Sequence, residues 1–159
     1  MRGVILLAIA FASQWAHADF SGRVVKVQDG DTLTVLVDRA QVRVRLGSID
    51  APELAQPYGK RARKSLADLC AAKEALVAEQ GKDRYGRIIG RVSCAGIPAN
   101  AEQVRRGMAW VFVRYAPAGS PLYGLEHDAR GRRDGLWADA RPTAPWEWRR
   151  LQSKQARSG

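Results

Sequence analysis

Residues 20–53 read FSGRVVKVQDGDTLTVLVDRAQVRVRLGSIDAPE and carry the clearest structural pattern in the chain. Apolar and polar residues alternate over three short runs, and this period of two is typical of half-buried β-strands. The expected inward side chains are Val25 and Val27, then Leu33, Val35 and Val37, then Val42, Val44 and Leu46. Turn-forming residues separate the runs at 29–31 and 38–41, so we expect a three-stranded antiparallel meander.

Downstream of this meander the period changes to that of a helix. Beginning near Tyr58, a stripe of Ala62, Leu66, Leu69 and Lys73 recurs at helical spacing. Residues 74–79 can continue this helix or form a strand before the turn at 80–81, and we favour the strand. Residues 87–94 predict a further strand that pairs with it.

The second half of the domain predicts two more helices. One covers residues 98–106, with Asn100 and Gln103 as its capping box and Gly107 just past its end. The next opens at Ser120 and closes at Gly135. The fold class is therefore α+β, with five strands that can close into an oligonucleotide-binding (OB) barrel and about three α-helices.

The ends of the chain differ from this domain in composition. Residues 1–18 contain Arg2, an uncharged apolar run at 4–12 and AHA at 16–18, the pattern of a signal peptide. An uncleaved anchor is the alternative, but the run is shorter than the roughly 20 residues that span a bilayer. We expect an exported chain, periplasmic or secreted, with its domain at 19–140. Residues 141–159 form a basic tail containing Trp and Pro, predicted to drape over the core and end in a loose run.

Charge and cysteine content narrow the classes of partner and site. Without residues 1–18 the chain has 25 Lys and Arg against 16 Asp and Glu, a net charge of +9. This favours a polyanionic partner, either nucleic acid or an anionic surface, although charge also aids solubility. Cys70 and Cys94 are predicted to form a disulfide after export. With two cysteines and one further histidine, His127, a four-ligand structural zinc site is not expected.

Acidic residues are concentrated in one part of this basic chain. Asp29, Asp31, Asp38, Asp50 and Glu53 are five of the 16 acidic residues and fall within 25 positions. Asp31 lies at the start of the second predicted strand and Asp50 at the end of the third, so antiparallel pairing brings both carboxylates to one edge of the sheet. Oxygen ligands without His or Cys suit a hard cation, Ca²⁺ or Mg²⁺.

Two arginines accompany these carboxylates. Arg45 alternates with Val44 and Leu46 and is expected to face away from their packed side, and Arg87 follows the turn at 83–86 and could approach from a different strand. An arginine fork can bind phosphate oxygens through two parallel hydrogen bonds, and Glu53 is the carboxylate that we assign as general base. Each feature alone has an ordinary interpretation as a turn or a surface salt bridge. Their combination indicates a site for phosphodiester chemistry.

These motifs together resemble the staphylococcal nuclease (thermonuclease) family. The matching segments are DGDT at 29–32, VRL at 44–46, IDAPE at 49–53, DRYGR at 83–87, NAEQVRRGMA at 100–109 and GLW at 135–137. The resemblance implies an OB barrel with helices that cleaves DNA and RNA with Ca²⁺ and leaves 3′-phosphate ends.

The same resemblance implies a role for each site residue. Asp31, Asp50 and the carbonyl of Ala51 would be calcium ligands, whereas Arg45, Glu53 and Arg87 would be catalytic. Tyr85 and Tyr115 resemble positions that contact nucleotide. The best-known member has Thr in place of Ala51 and Tyr in place of Val113, so metal or nucleotide affinity can differ here.

Three functional hypotheses are consistent with these patterns. The first is an exported, monomeric, sugar-nonspecific nuclease that has no membrane anchor once the signal peptide is cleaved. The second is an OB module that binds nucleic acid without cutting it, and the third is a protein that binds anionic surfaces. The other aromatic residues, Trp110, Phe112 and Trp137, are expected to pack rather than stack on bases, and His127 is expected near the surface.

Overall fold

The computed structural model describes residues 19–158, so the predicted signal peptide lies outside the described residues. The strands are β1 (Phe20–Val27), β2 (Thr32–Val37), β3 (Ala40–Leu46), β4 (Ile49–Asp50), β5 (Glu74–Lys82), β6 (Ile88–Cys94), β7 (Ile97–Pro98) and β8 (Trp110–Val111). The helices are α1 (Gly59–Cys70), α2 (Ala99–Arg105), α3 (Leu122–Arg132) and α4 (Pro145–Ser158), with a 3₁₀ turn at Gly135–Ala138. Within residues 19–158, no helix has both the length and the apolar character needed to cross a membrane.

Five strands close into a barrel. β1, β2 and β3 form the expected antiparallel meander, and β1 also pairs with β5, which pairs with β6. β6 then runs parallel to β3, with Val44 opposite Ile88, and this pairing closes the ring. The predicted α+β fold with an OB-type barrel is confirmed, and so is the strand at residues 74–79.

The inward face of β1 differs from the prediction. The β1–β2 register shifts between Val24 and Lys26, which makes Val25 an extra residue on the strand. As a result, Val24 and Val27 are buried, whereas Val25 is 44% exposed. Simple alternation from Val27 placed Val25 inside because it assumed a strand without a bulge. The extra residue reverses the facing of the residues on one side of it, so Val24 is buried in place of Val25.

Helix α1 and the disulfide fix the barrel on one side. Ala62, Leu66 and Leu69 are buried in the core. Cys70, the last residue of α1, is bonded to Cys94 at the end of β6, with an S–S distance of 2.04 Å. The predicted pairing is therefore present in the fold.

The predicted capping box of α2 is wrong. Pro98 is the residue before the helix, and no side chain caps it. Asn100 Nδ2 instead donates to the carbonyls of Gly47 (2.9 Å) and Gly90 (3.2 Å), and Gln103 Nε2 donates to the carbonyl of Gly30 at 2.7 Å. Both side chains face inward, where they donate to carbonyls of buried residues that water does not reach.

Two helix ends also differ from the prediction. α3 stops at Arg132 rather than at Gly135, and Arg133 directly after it adopts the left-handed conformation. The tail does not end in a loose run, because residues 145–158 form α4. This fourth helix packs against the candidate functional region.

Candidate active site

Asp31, Arg45 and Asp50 form one hydrogen-bonded centre at the edge of the barrel. The ladder between β2 and β3 places Thr32, the residue after Asp31, opposite Arg45. Arg45 Nη2 donates to Asp50 Oδ1 at 2.9 Å and to Asp31 Oδ2 at 3.3 Å. One guanidinium nitrogen thus contacts both carboxylates, which the sequence had placed at the same edge.

The two carboxylates of this centre are buried. Asp50 is 1% exposed and Asp31 is 6% exposed. Asp31 Oδ2 also accepts a hydrogen bond from the backbone amide of Ala51 (3.0 Å), and its Oδ1 accepts one from the Thr32 hydroxyl (2.9 Å). These bonds hold Asp31 in a single orientation.

Burial makes negative charge costly here. The pKa of Asp50 is raised above its ordinary value, first by burial and also by the charge of Asp31, although hydrogen bonds from arginine oppose the rise. Burial and the same neighbouring charge raise the pKa of Asp29 to about 6. Additional positive charge at this edge would therefore stabilise the ionised carboxylates.

The donor set fits a hard cation with few protein ligands. Asp31 and Asp50 supply carboxylate oxygens that repel one another in a buried position, and Ala51 follows directly with a backbone carbonyl. Across residues 19–158, no group of three or more His, Cys, Asp or Glu side chains is arranged to hold a metal. Backbone oxygen and water would have to complete the shell, which Ca²⁺ and Mg²⁺ accept.

Glu53 lies on the loop between β4 and α1. The first residue of α1, Gly59, packs directly on this loop, and a Cβ added there would lie 1.8 Å from the carbonyl oxygen of Glu53. Any larger residue would have to displace the backbone that carries the carboxylate. The Glu53 side chain itself is 42% exposed.

Sequence reasoning missed Arg149 on α4. Its Nη2 donates to Asp50 Oδ2 and its Nη1 to Glu53 Oε1, both at 2.7 Å. Burial acts to lower the pKa of Arg149, but the hydrogen bonds to Asp50 and Glu53 outweigh it and raise that pKa. The only sequence signal was the segment PWEWRR at 145–150, in which proline and tryptophan residues that can pack on the core precede two arginines.

Arg87 lies on a separate turn, directly before β6, and its contacts are with residues of that turn. Its Nε donates to Asp83 Oδ2 at 2.7 Å, and its guanidinium lies 5.6 Å from the centre of the Tyr85 ring. β6 begins one residue after Arg87, at Ile88, and runs parallel to β3, with Ile89 opposite Arg45. Partial burial acts to raise the pKa of Asp83, but hydrogen bonds from Arg87 and the Tyr85 amide hold it below its ordinary value.

The aromatic residues divide as expected into exposed and packed groups. Tyr85 is 67% exposed and Tyr115 is 60% exposed, so both rings are accessible to a nucleotide. Val113, beside Tyr115, is 66% exposed and offers no ring. The packed residues are Trp110 and Trp137, with ring centroids 4.4 Å apart, and Phe112, which stacks on Trp146. His127 is at the surface, as predicted.

The chain is similar over most of its length to nucleases and to one protein family. The family described as staphylococcal nuclease homologue matches residues 43–139. A protein named micrococcal nuclease from Shigella flexneri is 44% identical over 166 residues, which cover 98% of this chain and 95% of that protein. Protein ParB from Escherichia coli is 41% identical and covers 100% of this chain and 96% of its own length. An Escherichia coli protein named uncharacterized endonuclease is 45% identical over 94% of this chain and 98% of its own.

Proposed function

The chain belongs to the staphylococcal nuclease family, and we propose that it is an exported, Ca²⁺-dependent nuclease that hydrolyses DNA and RNA and leaves 3′-phosphate ends. The observation that supports this most directly is the buried centre of Asp31, Arg45 and Asp50, beside the accessible carboxylate of Glu53. A module that only binds nucleic acid would not need two buried carboxylates, because removing ionised carboxylates from water costs free energy even when arginines pair with them.

Each residue of the site has a distinct chemical role in this proposal. Asp31, Asp50 and the Ala51 carbonyl would hold the cation, which supplies Lewis-acid stabilisation of charge developing at phosphorus. Arg45 and Arg87 bind the phosphate oxygens through their planar forks. Glu53 accepts the proton of the attacking water, and its exposure leaves room for that water beside the substrate.

Charge complementarity supports an anionic substrate. Asp31, Asp50 and Glu53 contact two arginines, Arg45 and Arg149, and a divalent cation would add two further positive charges. The loaded site would then be positive and attract a phosphodiester. The net charge of +9 calculated for residues 19–159 extends this attraction over the whole surface.

The test is degradation of plasmid DNA and of RNA by the purified chain that begins at Asp19. We expect cleavage of both with millimolar Ca²⁺ and none after addition of chelator. E53Q should lower turnover by about two to four powers of ten, the usual contribution of a general base. E74Q, at an exposed position on β5, is the matched control and should behave as the parent.

The chemical groups at the ends of the products show which P–O bond of the phosphodiester is cleaved. Fragments with 5′-hydroxyl ends accept phosphate from a polynucleotide kinase directly, whereas 5′-phosphate fragments must first be dephosphorylated. We expect direct labelling, together with 3′ ends that a polymerase extends only after phosphatase treatment. Binding of DNA and RNA without any cleavage would instead favour the non-catalytic OB module.

Export is the remaining part of the proposal. Residues 1–18 have the composition of a signal peptide, and the bonded pair Cys70–Cys94 suits an oxidising compartment. Expression of the full-length chain followed by cell fractionation should give a monomer beginning at Asp19 in the periplasm or medium. A chain that retains residues 1–18 in the membrane fraction would contradict this part alone.

A further inference from the structure

Helix α4 brings Arg149 into the candidate site from the far end of the chain. Arg149 is 99 residues from Asp50 and 96 residues from Glu53 in sequence. Its two terminal nitrogens bind different carboxylates, with Nη2 on Asp50 Oδ2 and Nη1 on Glu53 Oε1, each at 2.7 Å. Nη1 also lies 3.3 Å from Asp50 Oδ1. One planar guanidinium therefore links the two side chains.

Aromatic contacts also hold α4 against the domain, in addition to these ion pairs. Trp146 stacks on Phe112 with centroids 5.3 Å apart and an interplanar angle of 6°, and it meets the edge of Trp110 at 5.7 Å. Pro145 is buried at the start of the helix. Aromatic packing of this kind would keep α4 docked when the Arg149 side chain is shortened.

A second connection joins the loop of Glu53 to the segment before α4. The side chain of Gln56, itself buried, donates from Nε2 to the carbonyl of Thr143 at 2.6 Å. Its Oε1 accepts a hydrogen bond from the Glu53 amide at 3.2 Å. The backbone at Glu53 and the start of α4 are thus held together, and Arg149 adds a contact at the level of the side chains.

The two carboxylates that Arg149 joins differ in freedom. Asp50 is 1% exposed and is fixed by Arg45, whereas the Glu53 side chain is 42% exposed and can adopt several rotamers. We infer that Arg149 is a positioning residue, which aligns the carboxylate of Glu53 with the cation-binding carboxylate of Asp50. This inference rests on the nuclease function proposed above and adds a residue from outside residues 43–139, the region that the family matches.

Holding the carboxylates of Asp50 and Glu53 at a fixed separation requires the planar, two-pronged shape of a guanidinium. A guanidinium presents two nitrogens in one plane at a fixed spacing, whereas a lysine ammonium is a single point charge on a flexible stem. A lysine at position 149 can neutralise Asp50 or Glu53 but cannot hold both in the same relation. Turnover should therefore respond to the shape of the side chain as well as to its charge.

The test compares R149A and R149K with R150A, a substitution of the exposed neighbouring arginine. At saturating Ca²⁺ we expect R149A to lower kcat about 10- to 100-fold, as for a misplaced catalytic group, while KM changes less than about threefold. R149K should recover only part of the loss, and R150A should behave as the parent. Millimolar guanidinium should partly restore R149A but not E53Q.

Calcium binding, measured by calorimetry in the absence of substrate, is the second readout. Arg149 places positive charge on Asp50, so R149A should bind Ca²⁺ as tightly as the parent or more tightly. Weaker binding, with turnover fully restored by excess Ca²⁺, would overturn the inference, because Arg149 would then serve only the cation. Thermal unfolding monitored by tryptophan fluorescence checks that α4 remains docked in R149A.

Two results separate this inference from the proposed function. If the parent is active and E53Q is not, but R149A matches or exceeds R150A in kcat, the inference is wrong and Arg149 merely covers the site. If the parent shows no Ca²⁺-dependent cleavage, or E53Q retains full activity, the proposed function itself fails.

Discussion

Arg45 and Arg87, the two arginines proposed to bind phosphate, are held in opposite ways. Arg45 is paired with two buried carboxylates, one of them 14 residues away, and these pairs form only when the barrel strands align. Arg87 is paired with Asp83, four residues earlier on the same turn. The centre around Arg45 is thus a product of the fold, whereas the ion pair of Arg87 lies within a single turn.

The strongest challenge to this contrast is removal of Arg45. R45A would leave Asp31 and Asp50 buried with one fewer partner, and loss of one member of a buried pair costs about 3 to 5 kcal/mol. We expect the free energy of unfolding of R45A to fall by an amount near the lower end of this range, because Arg149 still contacts Asp50. Urea denaturation in the presence of chelator measures this loss of stability. The control is R43A, at an exposed site on the same strand, which should change the stability by less than about 0.5 kcal/mol. Equal effects of the two substitutions would contradict a buried centre.

Removal of Arg87 should separate activity from stability. R87A is expected to lower kcat/KM by about 100-fold or more, the usual effect of losing one charge-stabilising donor, which corresponds to about 3 kcal/mol. Its unfolding free energy should change by about 1 kcal/mol, less than in R45A, because the Asp83 pair is confined to one turn and is only partly buried. R91A, exposed on β6, is the control for a lost positive charge. A large loss of stability in R87A would remove the distinction drawn between the two arginines.

A smaller effect is expected at Tyr85, whose ring lies beside Arg87. Stacking of a base on an exposed ring contributes about 1 to 3 kcal/mol, so Y85A should weaken binding of a short oligonucleotide by at least about fivefold. Y85F keeps the ring and should retain most of the affinity. Fluorescence anisotropy with E53Q as the background avoids cleavage during the titration. Unchanged affinity in Y85A would show that this turn contacts phosphate alone.

The smallest effect concerns the Asp83 pair and depends on pH. Asp83 has a pKa below its ordinary value in the folded chain, so its ionised form stabilises the fold. That contribution is present above the unfolded pKa of about 4 and is lost as the pH falls through the lower folded value. D83N should therefore be less stable than the parent at pH 7 and approach it near pH 2. A difference that stays constant over this range would rule out the ion pair as its source.

Much of the barrel could be predicted because its signals are local. Alternation at Leu33, Val35, Val42 and Val44 indicates strands without knowledge of their partners, and the intervening turns indicate antiparallel pairing. The same pairing places Asp31 and Asp50 at one edge, so their proximity was also predictable from the sequence. Val25 was misplaced because one extra residue in β1 is decided by the fit to β2.

Sequence by itself determined the strand order of the meander, the α+β class and the set of residues from Asp31 to Glu53 that make up most of the candidate site. Only the tertiary structure shows that Asn100 and Gln103 donate to buried backbone carbonyls and that Arg149 binds Asp50 and Glu53. The partners of these side chains include groups 41 to 99 residues away in sequence. A short motif encodes periodicity and turns, but the need of a buried carbonyl or carboxylate for a partner arises only once packing has removed water from it.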